Sequence, residues 1–302
     1  MQMPSYGLGT YTVQGENCSN IILSALENGY RLIDTAELYQ NHSDIAIGIK
    51  AATHANIVKR EDIWLTSKIH NRDQRKLNIG PAIQKILTDL DTDYLDLIIL
   101  HSAQKKYLEA YTELIKCAEH FNIKHIGVSN FRVDELEKII DKTGITPYLN
   151  QIEISPFNQR IALRSYMAEK NIITQAYASL TCGITLNSES VSVTESIEST
   201  SASTSAESAS TSAESASTSA ESTYTASSEY LKSTIYDPDQ LLLAWATHYN
   251  LRPIPTAHKT DHLIKNFKTM KEIKLDQTHV EKLDQITEIV CNYKQHADKI
   301  NL

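Results

Sequence analysis

The stretch Leu95–His101, LDLIILH, decides the fold. A strand with one wet face alternates apolar and polar residues. This run is interrupted only by Asp96, and nearly continuous Leu and Ile suit a strand buried on both faces, as in parallel sheets covered by helices. The run ends in an imidazole, His101. Whether that matters depends on how the other apolar runs of the chain end.

Seven further runs read in the same way: YRLIDTA (Tyr30–Ala36), DIWLTSK (Asp62–Lys68), IKHIGVSN (Ile123–Asn130), YLNQIEI (Tyr148–Ile154), NIITQAYA (Asn171–Ala178), LRPIPTA (Leu251–Ala257) and KEIKL (Lys271–Leu275). Helical patterns lie between them. Ile21, Ile22, Ala25 and Leu26 precede a stop at Gly29, and Val133, Leu136, Ile139 and Ile140 share a face ahead of Gly144. DPDQLLLAWATHYN opens with Asp237 as N-cap and Pro238 in the first turn. Eight strand candidates alternating with helices predict an eight-stranded β/α (TIM) barrel. A doubly wound open sheet is the alternative, and no G-x-G-x-x-G follows any run to support it.

Run starts recur at even intervals as far as Asn171, and the next waits until Leu251. The excess is a low-complexity segment of Ser, Thr, Ala and Glu, residues 187–228, in which SASTSAE occurs three times in succession from Ser201 to Glu221. Alanine alone at the apolar positions of this heptad buries too little area for a coiled coil. The expectation is a disordered insertion in one βα loop, within a single domain covering 1–302. Such an insertion is tolerated, because each doubling of loop length costs only about 0.6 kcal/mol.

The 302 residues carry a formal charge of −8, which argues against a general nucleic-acid surface. No apolar stretch reaches the roughly 18 residues that span a bilayer, and the N-terminus has no basic-then-apolar signal pattern. Cys18, Cys117, Cys182 and Cys291 are widely spaced, with neither zinc nor disulfide spacing. A cytoplasmic, monomeric protein with reduced thiols is expected.

In a β/α barrel the active site lies at the C-terminal ends of the strands. Successive runs deliver Asp34 (with Tyr39 just beyond), Lys68, His101, Ser129 and Asn130, Gln151, and Tyr177. Each alone has an ordinary structural reading, as a cap, a solvated lysine or a satisfied histidine. Six consecutive runs that end this way point to one functional rim.

The motifs GLGTY (Gly7–Tyr11), DTAELYQN (Asp34–Asn41), LTSK, LDLIILH, IGVSNF (Ile126–Phe131), NQIEISPF (Asn150–Phe157) and AYASL (Ala176–Leu180) occur in an order that resembles the aldo-keto reductases. The resemblance implies reduction of an aldehyde or ketone to an alcohol by a nicotinamide cofactor. Tyr39 would be the general acid, Lys68 the cation beside it, Asp34 the partner of Lys68, and His101 the residue that orients the carbonyl. One charge about 4 Å from the phenol is worth roughly 4 kcal/mol at a dielectric of 20, about three pKa units, so Lys68 is expected to lower the Tyr39 pKa. Ser129, Asn130 and Gln151 would hold the carboxamide, Tyr177 would stack on the nicotinamide, and Ser179 and Leu180 would lie beside the pyrophosphate. Thr10 would line the cofactor side of the first loop and Tyr11 the substrate pocket.

The chain departs from the family where the 2′-phosphate of NADP(H) is usually gripped. Thr256 stands at the lysine position, Ala257 at the serine, His262 at the arginine and Lys265 at the glutamate, while Asn266 is kept. His258 and Lys259 are the nearest substitutes. NADP(H) is the expected cofactor, with NAD(H) as competitor. Ser102, Ser155 and His42 replace the family's usual tryptophan, histidine and glutamate in the substrate pocket, and the short tail after Cys291 implies an open pocket for a small carbonyl or alcohol. The alternative function is a catalytically impaired barrel that binds nucleotide or a partner.

Overall fold

The computed structural model describes residues 1–180 and 234–286. The insertion at 187–228, Cys182 and Cys291 lie outside the described residues.

Seven parallel strands run in chain order around the sheet: β1 Leu8–Gly9, β2 Leu32–Asp34, β3 Trp64–Ile69, β4 Leu95–Leu100, β5 Ile123–Ser129, β6 Leu149–Glu153 and β7 Ile173–Tyr177. The segment 251–256 closes the ring. On one side the Gly7 and Gly9 amides donate to Pro253 and Pro255 carbonyls at 3.0 and 3.1 Å; on the other, Ala176 donates to Leu251 and Ile254 donates to Ala176. The architecture is the (β/α)8 barrel.

Two of the eight strand candidates need correction. KEIKL is not a strand: Lys271 and Glu272 end the helix Thr260–Glu272, and the rest is loop. The strand in its place is β1, too short to stand out as a run. The closing segment itself forms only a single bridge, Gly9 to Thr256, because Pro253 and Pro255 have no amide hydrogen for the ladder. Gly9 permits the close approach, since a Cβ there would lie 2.5 Å from the Ile254 carbonyl oxygen.

Ten helices pack outside, among the described residues: α1 Gly15–Glu27, α2 His42–His54, α3 Asn71–Lys76, α4 Ile79–Asp89, α5 Tyr107–His120, α6 Val133–Thr143, α7 Ile161–Glu169, α8 Pro238–His248, α9 Thr260–Glu272 and α10 Gln277–Asp284. Gly144 ends α6 with φ 69°, as its position implies. At the start of α8, Gln240 Oε1 accepts from the Asp237 amide at 3.1 Å.

Strand parity sets what faces the barrel axis. Met3, Leu32, Trp64, Leu97, Ile99, Leu149 and Ile254 form an inner cluster, with Ile173 and Tyr177 against it. Leu65, Ile98 and Leu100 join the larger outer core under the helices. Side chains two or four residues beyond an inner one face inward too. That rule carries Asp34 from Leu32, Lys68 from Trp64, His101 from Leu97, and Gln151 from Leu149 into the interior at the strands' C-terminal ends. Asp96, the one carboxylate in LDLIIL, is 1% exposed. It is neutralised by Lys124 at 2.9 Å and Arg60 at 3.3 Å and accepts from the Leu65 amide at 3.0 Å.

Candidate active site

At the C-terminal mouth, Lys68 is 1% exposed and its Nζ makes three bonds. It pairs with Asp34 Oδ1, donates to the Thr35 carbonyl at 2.9 Å and lies 3.3 Å from Tyr39 Oη. Asp34 Oδ2 accepts from Gln151 Nε2 at 2.7 Å, and the same amide nitrogen donates to Gln175 Oε1 at 2.7 Å. The His101 ring stands edge-on to Tyr39, with centroids 6.1 Å apart, and Tyr11 sits 5.1 Å from Tyr39 on another side. Phenol, ammonium, carboxylate and imidazole thus meet at one mouth.

Burial dominates their protonation. It pushes Asp34 up and Lys68 down, and the pairing pulls each back. It pushes His101 down to about 3, with the Lys68 and His70 charges acting in the same direction, so His101 is neutral at ordinary pH. It also pushes the Tyr39 phenol well above its usual value, and Asp34 and Tyr11 add to the rise. This reverses the expectation that Lys68 lowers that pKa. The physical reason is that Asp34 cancels most of the Lys68 field, while the pocket strips water from the phenol.

The loop that carries Tyr39 is tied down by residues that sequence reasoning passed over. Asn41, 1% exposed, donates to the carbonyls of Thr10 at 2.8 Å and Val13 at 2.9 Å and accepts from Thr35 Oγ1 at 2.8 Å. The loops after β1 and β2 are thereby joined. His42, the first residue of α2, meets the outward-facing Ser67 at 2.9 Å, one residue from Lys68, and burial pushes its pKa down to about 4. The only signal in the sequence was polar residues packed tightly behind Tyr39. Gln175 could have been found by parity, two residues before Tyr177.

The remaining expected residues surround this centre. Thr10 Oγ1 donates to the Asp34 carbonyl at 3.0 Å. Ser129 Oγ donates to the Gln151 carbonyl at 2.8 Å and accepts from Asn130 Nδ2 at 3.0 Å. Asn130 adopts φ 61°, its Nδ2 also reaches the His101 carbonyl at 3.2 Å, and its Oδ1 accepts from Tyr177 at 2.8 Å. Asn tolerates this left-handed geometry better than most residues. A carboxamide binding here must exchange some of these internal bonds. Gln151 spends both side-chain amide hydrogens inward, which leaves its side-chain Oε1 to accept from a ligand.

Ser179 is 2% exposed, and its hydroxyl has no partner among the described residues. Leu180 beside it is half-buried. Thr256 sits at the closing bridge, whereas His262 is exposed and Asn266 buried one turn apart on α9. Lys265 is committed to Asp237 at 2.5 Å, and the His258 ring lies 3.1 Å from Thr12 Oγ1. Lys265 and the His258 ring are thus already engaged within the protein.

The sequence profile of the Aldo/keto reductase family matches residues 5–288. The chain belongs to this family. Methylglyoxal reductase DkgA of Salmonella typhimurium is 38% identical over 184 residues, 60% of this chain and 65% of that protein's length. Glyoxal reductase of Bacillus subtilis is 37% identical over 191 residues, 63% of this chain and 68% of that protein. Among solved structures, MGS-M4, an aldo-keto reductase from a Medee basin deep-sea metagenome library, superposes with a TM-score of 0.75 at 26% identity, covering 95% of this chain and 92% of its own. Family membership accounts for the shared barrel and the order of the motifs. Among the described residues, no helix is long and apolar enough to cross a membrane.

Proposed function

We propose that the protein is an NAD(P)H-dependent oxidoreductase that reduces small aldehydes or ketones to alcohols. The observation that carries the reading is the Lys68 ammonium bridging Asp34 and the Tyr39 hydroxyl beneath the ring of His101. The reductase names of the similar proteins from Salmonella and Bacillus support it.

The site fits a nicotinamide dinucleotide. The Ser179 hydroxyl, without a partner among the described residues, is a buried donor for an acceptor such as a pyrophosphate oxygen, and the Gln151 side-chain Oε1 suits a carboxamide N–H. Ser129, Asn130, Gln151 and Tyr177 would hold the nicotinamide end, Ser179 and Leu180 the pyrophosphate, and Thr256, His262 and Asn266 the adenosine end. When bound, the reduced cofactor supplies a hydride to the carbonyl carbon.

The chain's own residues do the rest. Neutral His101 donates a hydrogen bond that fixes the carbonyl oxygen, with Tyr11 walling the pocket. Tyr39 gives its proton to that oxygen as negative charge develops. A raised phenol pKa is no obstacle, because the alkoxide that forms is a far stronger base than a phenolate. Lys68, 3.3 Å away, then stabilises the phenolate left behind. NADP(H) is the preferred cofactor and NAD(H) a close competitor. The enzyme is read as one monomeric, cytoplasmic barrel unit interrupted by the low-complexity segment.

Titration with NADPH and with NADH, followed by nicotinamide fluorescence, and then turnover with glyoxal and methylglyoxal tests the proposal. Saturable binding and aldehyde-dependent cofactor oxidation are expected. Binding of neither cofactor sinks it.

A further inference from the structure

The short helix α3 follows β3 and so stands at the mouth beside Lys68. It carries two arginines with opposite surroundings. Arg72 is neutralised by Glu37 at 3.0 Å and Asp73 at 2.7 Å. Arg75 has no carboxylate within ion-pair reach among the described residues. Its Nη1 donates instead to Gln104 Oε1 at 2.8 Å.

That bond is the end of a polar chain joining the loops after β3 and β4. Gln104 Nε2 donates to Ser102 Oγ at 2.7 Å, and Ser102 donates to Asn71 Oδ1 at 3.0 Å. Asn71 Oδ1 also accepts from Gln74 Nε2 at 3.3 Å. Ser102 is the neighbour of His101 in the chain. The Arg75 guanidinium is therefore anchored to the loop that carries the carbonyl-orienting imidazole. Lys76, Lys105 and Lys106 are exposed on the same two loops, none with an ion pair among the described residues. Against these four cations stand one surplus carboxylate of the Glu37–Arg72–Asp73 group and Glu109 in the first turn of α5. A cationic rim thus borders the mouth of a protein whose formal charge is −8. In the strand order β3 and β4 stand opposite β7 and the closing segment, which lead to Ser179 and Thr256, so this rim belongs to the side of the barrel away from the residues read as the dinucleotide side.

We propose that this rim selects carbonyl substrates bearing a carboxylate, with Arg75 as the residue that meets the anion. An exposed cation fixed by a neutral amide keeps its full charge and spare N–H donors for a bidentate contact, which Arg72 cannot offer. The same local positive field on a negative protein draws anions toward this opening rather than to the molecule at large. The inference rests on the reductase reading above and adds the class of substrate.

The test compares 4-carboxybenzaldehyde with its methyl ester, two aldehydes of the same carbon frame that differ in charge; the ester is the more electrophilic, so an advantage of the acid does not come from carbonyl electronics. The expected result is a kcat/KM for the carboxylate about tenfold above the ester at low salt, with the advantage shrinking as ionic strength rises from about 0.01 to about 0.5 M. Arg75→Gln should remove most of that advantage through KM, so that the ratio of kcat/KM for the acid over the ester falls toward one. Arg75→Lys should keep the salt dependence. Equal turnover of the two aldehydes by the wild type, or a ratio untouched by Arg75→Gln, overturns the inference while leaving the reductase intact. Failure to oxidise either reduced cofactor with both aldehydes overturns the reductase reading and this inference with it.

Discussion

The Lys68 ammonium lies 3.3 Å from the Tyr39 hydroxyl while bonded to the buried Asp34 carboxylate. One cation therefore has two duties: it compensates a carboxylate that water cannot reach, and it waits for a phenolate. The two duties can be separated experimentally.

Tyr39→Phe removes the proton and leaves the Lys68–Asp34 pair intact. Carbonyl reduction should fall at least about 100-fold, with the cofactor dissociation constant and melting temperature close to wild type. Stopped-flow turnover beside fluorescence titration checks this. Undiminished turnover would remove Tyr39 from the mechanism.

Lys68→Met removes the cation and leaves Asp34 and Gln151 without it. Activity should be lost, and stability should fall by about 3–5 kcal/mol, the usual consequence of orphaning one member of a buried pair. Adding Asp34→Asn should recover much of the stability and none of the activity. Denaturant unfolding of the single and double variants measures both effects, and additive losses would contradict the pairing.

His42 should govern acid stability. It titrates near 6.5 when unfolded and at about 4 in the fold, so between those values the unfolded chain binds more protons. Its contribution is fully present above pH about 6.5 and is lost as pH falls toward about 4, with a magnitude on the order of 3 kcal/mol. His42→Gln keeps a hydrogen-bonding partner for Ser67 and should flatten this part of the profile. Parallel stability curves for the two proteins would assign the acid sensitivity elsewhere. His101, pushed down to about 3, should add no acid limb to the reduction rate between pH 5 and 7.

On the proposed reading, Thr256 and His262 set cofactor choice. Thr256→Lys together with His262→Arg restores two cations on the adenosine side. Each charge-assisted bond is worth about 1.5–3 kcal/mol, so the ratio of NADPH to NADH affinity should rise by at least about tenfold. An unchanged ratio would place the 2′-phosphate away from these residues.

The apolar runs, their reactive ends and the motif order could all be read from the chain. Period-two parity in the backbone already commits Asp34, Lys68, His101 and Gln151 to the same face as Leu32, Trp64, Leu97 and Leu149. That is local stereochemistry, and it needs no knowledge of the fold beyond the sheet. The misreading of KEIKL has the same origin: alternation of Ile273 and Leu275 satisfies a strand pattern that α9 and its loop satisfy equally well, while Leu8–Gly9 is too short to show any period.

Tertiary structure alone decided the rest. The closing of the ring through Gly9 and the proline-bearing segment, the Asn41 tie between two loops, the His42–Ser67 contact and the Arg75–Gln104 bond all depend on residues far apart in sequence. The direction of the Tyr39 pKa depends on more than the presence of a lysine. It is set by how much water the assembled mouth removes and by which carboxylate already holds that lysine's charge, and burial and pairing exist only once the chain is packed.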